Sequence, residues 1–137
     1  MASDYLPESL RNSREFRRVY ELGRRYSTSH FNAFYLRTDS TAPRLGLTVT
    51  RKVGNAVIRN RCKRRLRQIV AHFFRDLRDQ GIVPSGFDLV INARTSLSEA
   101  SYSVVEQAFR KMMVALLRHS SAKVDPDQPV GGEARLF

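Results

Sequence analysis

Between Asp39 and Asp76 the chain carries no carboxylate, and within that stretch the run from Arg51 to Arg67 places eight cations in seventeen residues. The same segment has a helical apolar stripe: on a 3.6-residue wheel Ile58, Cys62, Leu66, Ile69, Phe73 and Leu77 share one side. Asn60, Arg64, Arg67 and Gln68 fall opposite, flanked by Arg59 with Lys63 and by Arg61 with Arg65, each pair one helical turn apart. Helix surfaces normally mix charge signs and gain ion pairs. A wide band of one sign repels itself unless a polyanion screens it. Nucleic acid is therefore the expected ligand, and the excess of arginine over lysine suits bidentate contact with phosphates and stacking on bases.

The ends of this helix are legible. Gly54 breaks the preceding strand, and Asn55 can accept a hydrogen bond from a free amide of the first turn, so the helix is predicted from about Ala56 to about Arg78. Upstream, the spacing of Phe16, Val19 and Tyr20 predicts a short first helix, capped by Asn12 or Ser13 and stopped at Gly23. From Tyr26 the period drops to two: Phe31, Ala33 and Tyr35 share one face, Asn32, Phe34 and Leu36 the other. After a turn over 39–43, Leu45, Leu47 and Val49 alternate with Gly46, Thr48 and Thr50, as in a strand with one buried and one accessible face.

Beyond the basic helix, glycines and a proline over 81–86 mark a loop, and the apolar run over 87–91 reads as a central strand. Ser103 and Glu106 have capping-box spacing ahead of a third helix with Val105, Phe109, Met112, Met113, Leu116 and Leu117 on its core side. Residues 1–9 give no periodic signal, and after Arg118 the composition turns polar. One domain over 1–118 and a disordered tail over 119–137 are expected. Two strands, a long helix, a third strand and a last helix make an α+β sandwich.

With 137 residues and 42% apolar content the chain can bury a core, and its net charge of +11 again favours an anionic partner. No apolar run approaches the roughly 20 residues that span a bilayer, and the start Met1-Ala2-Ser3-Asp4-Tyr5 lacks the features of a secretory signal. A cytoplasmic, membrane-free protein is expected. The single cysteine, Cys62, cannot form an intrachain disulfide or a CxxC metal site and reads as a small core residue. His30, His72 and His119 have no evident nucleophile to serve, and the scattered acids offer no metal site, so no catalytic residue and no protein-held metal are expected. Phe16 and Tyr20 lie one turn apart, and Phe34 projects from the strand face opposite Phe31 and Tyr35. Core packing accounts for these aromatics, and so does stacking on unpaired bases, each stack being worth roughly 1–3 kcal/mol. Thr48 and Thr50, on the less apolar face of the next strand, suit the wet groove of the second account.

The segment from Arg51 through Arg67, Arg-Lys-Val-Gly-Asn-Ala-Val-Ile-Arg-Asn-Arg-Cys-Lys-Arg-Arg-Leu-Arg, closely resembles the signature of the protein subunit of bacterial ribonuclease P. The similarity continues upstream from Arg14 to Gly23 and downstream from Phe87 to Arg94, covering about residues 10–118. It implies an α/β sandwich with a mixed sheet, of a kind also found in a ribosomal protein domain. It further implies a left-handed βαβ crossover around the basic helix, a hand that is rare among parallel crossovers.

In that family the RNA subunit is the catalyst, cutting precursor tRNA to free the mature 5′ end with Mg²⁺ held chiefly by RNA and none bound tightly by the protein. The protein alone is not expected to cleave, and it needs no obligate protein partner. By resemblance Arg59, Asn60, Arg61, Lys63, Arg64, Arg65 and Arg67 match the motif that docks on the catalytic RNA. Phe16, Tyr20, Phe34, Thr48, Thr50 and Lys52 match the cleft for the single-stranded 5′ leader of precursor tRNA. Two other readings compete: a ribosomal protein or general RNA chaperone without an enzyme partner, and a stand-alone nuclease, which would need a carboxylate cluster that the sequence lacks.

Overall fold

The computed structural model describes residues 5–121. In chain order the elements are β1 (Glu8–Ser9), α1 (Ser13–Leu22), β2 (Arg24–Ser27), β3 (Phe31–Arg37), β4 (Arg44–Thr48), α2 (Ala56–Asp79), β5 (Phe87–Ala93), a 3-10 turn over Thr95–Glu99 and α3 (Tyr102–Ser121). The strands form one mixed sheet in the order β1-β4-β5-β3-β2. β3 pairs antiparallel with β2 and β5, whereas β4 lies parallel to both β5 and β1. α2 thus joins two neighbouring parallel strands, β4 and β5.

The period-two pattern of β3 divides the molecule into two layers of side chains. Phe31, Ala33 and Tyr35 are buried on one face with Leu45, Leu89 and Ile91, under Cys62, Leu66, Ile69, Val70 and Phe73 of α2 and Phe109, Met112 and Met113 of α3. On the other face Phe34 and Leu36 join Val90 and Leu10 beneath Val19 and Phe16 of α1. Burying a side chain of Leu or Phe size contributes about 1.5–3 kcal/mol, so the larger layer under α2 and α3 dominates stability. Cys62, Met112 and Met113 lie in that layer, and burial raises the Cys62 thiol pKa, as a small core residue requires. Among the described residues no helix is long and apolar enough to cross a membrane.

The caps of the first two helices follow the sequence. Asn12 caps α1 in a capping box with Glu15, and Asn55 caps α2, its Oδ1 accepting from the Ile58 amide at 3.0 Å. Three details differ. The sheet has five strands where three were expected: β1 arises in the aperiodic segment 1–9 because Glu8 and Ser9 pair with Arg44 and Leu45, and two residues are too few to carry a pattern. The strand expected from Tyr26 onward is split into β2 and β3, since Thr28 Oγ1 accepts from the amides of His30 and Phe31 and folds the chain back. Ser101, not Ser103, caps α3, accepting from the Val104 amide at 3.2 Å. α3 also runs on to Ser121, past position 118; the remainder of the expected tail, 122–137, lies outside the described residues.

Candidate nucleic-acid interface

α2 turns its apolar stripe to the core and leaves Asn60, Arg61, Arg64 and Arg67 exposed, with Lys63 half-buried beside them. None of these four cations has an ion-pair partner among the described residues, whereas Arg44, Arg75 and Arg110 elsewhere all pair with carboxylates. Two members of the expected band turn inward instead. Arg59 donates through Nη1 to the Gly54 carbonyl at 2.9 Å, closing the first turn of α2. Arg65 donates through Nη2 to the Ala100 carbonyl at 2.6 Å and so ties α2 to the end of the 3-10 turn. Their positive charge remains at the surface, but their hydrogen-bonding capacity is partly taken. Asp76, the first acid after the band, is held by Arg110 at 2.7 Å; burial works against its charged form, and Arg110 together with Arg75 outweighs burial and lowers its pKa.

The second surface lies across the sheet, where α1 crosses β4. Successive outward residues of β4 meet successive residues of α1. Glu15 reaches Arg44 at 2.7 Å, and Arg44 grips the buried Asp88 with two further bonds of 2.8 and 2.9 Å. Hydrogen bonding to Asp88 is the chief cause that pushes the Arg44 pKa up. The Glu15 carboxyl is held below its ordinary value, first by the Arg11 amide and further by Asn12 and Arg44. Next along β4 is Gly46, which provides the seat of Phe16: a Cβ there would stand 2.6 Å from Phe16 Cε2. Only the missing side chain lets the ring lie on the sheet.

Thr48 comes next, and with Ser13, Phe16, Arg17 and Tyr20 it lines an apolar recess open to solvent. Tyr20 meets Phe34 edge-on at 4.9 Å and donates its hydroxyl to Asn92 Oδ1 at 2.9 Å. The Arg25 guanidinium lies 5.9 Å from the centre of the Phe34 ring. Phe16, Tyr20, Phe34 and Thr48 are therefore brought together in one cleft. Thr50 and Lys52 are exposed in the turn that follows β4. Core packing accounts for Phe16 and Phe34, which lie on the small layer, whereas Tyr20 remains 38% exposed at the rim.

Asn32, Asn92, Arg17 and Arg25 were not among the site residues expected from the sequence. In the sheet register Ser27, Asn32, Asn92 and Thr48 form a polar row across the floor of the cleft. Besides Thr48, the sequence signal for it is a pair of polar residues four places apart in β5, Asp88 and Asn92, on the side opposite Leu89 and Ile91. The described histidines are bound into local structure. His30 Nδ1 lies 2.8 Å from Ser96 Oγ, which donates to the Ser29 carbonyl, and His72 Nδ1 lies 3.3 Å from the Tyr102 hydroxyl. His119 lies where side chains are not described. Among the described residues no group of three His, Cys, Asp or Glu is placed to hold a metal ion.

A band of cations unpaired among the described residues on one side of the sheet and an aromatic cleft on the other suit an RNA ligand. A model of the family Ribonuclease P matches residues 7–117. The chain belongs to the ribonuclease P protein family. The ribonuclease P protein component of Syntrophomonas wolfei is 34% identical over 118 residues, covering 85% of this chain and 94% of the relative. That of Thermotoga maritima is 34% identical over 111 residues, covering 81% and 90%.

Solved structures agree. The ribonuclease P protein from Thermotoga maritima superposes with a TM-score of 0.61 at 32% identity, covering 82% of this chain and 96% of that one. The Staphylococcus aureus protein, at 21% identity and a TM-score of 0.63, shares the fold. As a member of this family the chain is the accessory, RNA-binding protein subunit of the ribonuclease P holoenzyme, an endoribonuclease.

Proposed function

We propose that this subunit docks on the catalytic RNA through α2 and holds the 5′ leader of precursor tRNA in the cleft between α1 and β4. The observation that carries the reading is the placement of α2 and of the cleft on opposite faces of one sheet. Asn60, Arg61, Lys63, Arg64 and Arg67 present unpaired donors to phosphates, with Arg59 closing the first turn of α2 and Arg65 tying the helix to the 3-10 turn while both add charge. Phe16, Tyr20, Phe34 and Thr48 form a stacking platform for unpaired bases, and the cationic turn bearing Thr50 and Lys52 continues it toward the phosphates.

The protein thus screens repulsion between two RNAs and raises the local concentration of the leader beside the catalytic RNA. In this reading the Mg²⁺ required by the reaction is held chiefly by the RNA. Cleavage with a 5′-phosphate product, a cytoplasmic setting and independence from other proteins belong to the same reading.

The test is to add purified protein to catalytic RNA at low Mg²⁺ and measure cleavage of precursor tRNA. Stimulated cleavage of the precursor, with no cleavage by the protein alone, is the expected result. Absence of stimulation would favour a general RNA chaperone, and cleavage without the RNA subunit would favour a stand-alone nuclease.

A further inference from the structure

The outer side of α1 carries a second group of cations, of which only Arg17 also borders the cleft. Arg14, Arg17 and Arg18 are all exposed, and no ion pair or hydrogen bond engages their side chains among the described residues. Glu15, the acid nearest in sequence, is committed to Arg44, and Glu21 alone remains on that side of the helix. The capping box takes the Asn12 and Glu15 amides at the helix start, and the guanidinium groups are the charged donors beside it.

Position links this stripe to the cleft. Ser13 and Arg17 line the aromatic recess with Phe16, Tyr20 and Thr48, and the same two residues line an adjoining polar recess with Asn12 and Arg14. A strand leaving the aromatic recess over α1 therefore passes directly onto guanidinium groups. α1 packs on the sheet face opposite α2, so this exit leads away from the surface assigned to the catalytic RNA.

We infer that the outer face of α1 is a phosphate-binding track for the part of the leader farther from the cleavage site, with Arg14, Arg17 and Arg18 holding the backbone of nucleotides that have passed the cleft. This rests on the reading of the cleft as the leader site. It assigns length dependence of leader binding to a surface outside the cleft. Single-stranded phosphate contacts release counterions, so the track should show itself in salt dependence as well as affinity.

The experiment measures holoenzyme affinity for precursor tRNAs with leaders of about 2, 5 and 10 nucleotides across a salt series, using wild type and the Arg14→Gln/Arg18→Gln variant. For the longest leader the variant is expected to bind about tenfold more weakly, with a salt slope shallower by about 1.4, and to match wild type on the shortest. An Arg14→Lys/Arg18→Lys protein should keep most of the affinity, and unchanged thermal melting excludes misfolding as the cause.

Equal losses at every leader length, or weaker assembly with catalytic RNA alone, would place these arginines on another RNA and overturn the track. So would no loss at all while wild type still gains affinity with leader length. If wild type itself shows no gain with leader length, the cleft reading fails and the track fails with it.

Discussion

Gly46 shows how one residue can decide a site without touching a ligand. Its missing side chain is the seat of Phe16, and its neighbour two places back, Arg44, holds Glu15 of the same helix while neutralising the buried Asp88. The docking of α1 is thus set by contact at one point and by charge at another. Gly46→Ala would place a methyl group against the Phe16 ring, which must swing out. Overpacking of this kind costs about 1–3 kcal/mol, and both urea unfolding and leader affinity should register it. In the sequence Gly46 is merely a small residue at an accessible strand position. Its importance depends on which helix lies above it, and no local pattern carries that. Asn92 is similar: its partner Tyr20 is far away in the chain and adjacent only across the sheet.

At the scale of elements, α2 was legible almost to the residue, because its cap, its apolar stripe and its charged side are all local properties. What the wheel could not separate were the arginines that face solvent from those recruited by neighbouring backbone. Arg65 and Arg64 make the contrast testable. Arg65→Ala removes charge-assisted bonds to the carbonyls of Leu97 and Ala100, one of them long, and should cost about 1 kcal/mol of stability at this half-exposed site. Arg64→Ala should leave stability within about 0.5 kcal/mol of wild type while weakening binding to the catalytic RNA. Chemical denaturation and RNA titration of the two variants together check the assignment. Equal losses of affinity without loss of stability would mean that Arg65 faces RNA as fully as Arg64. The short strands β1 and β2 were missed for the opposite reason: their existence depends on partners, Arg44 and Leu45 for one and β3 for the other.

For the whole molecule the governing quantity is charge on a sheet whose two faces are covered by different helices. The net charge of +11 predicts long-range attraction to RNA, but only the layered fold separates a band on α2 from a stripe on α1. If the α2 band engages about five phosphates, log K for the catalytic RNA should fall with log salt at a slope of roughly −4. A titration series from low to moderate salt measures it, and a salt-independent affinity would sink the electrostatic account of docking.

The sequence by itself determined the α+β class, the core stripes, the helix caps of α1 and α2, the polyanion as ligand and the ribonuclease P resemblance, because periodicity, capping and charge density are properties of neighbours along the chain. Tertiary structure alone decided which strands pair, which arginines are spent on carbonyls, and how Phe16, Tyr20, Phe34 and Thr48 come to share a polar floor with Asn32 and Asn92. Those depend on register and on the docking of α1, where residues distant in the chain meet, and the energy of such a meeting has no signature in either partner alone.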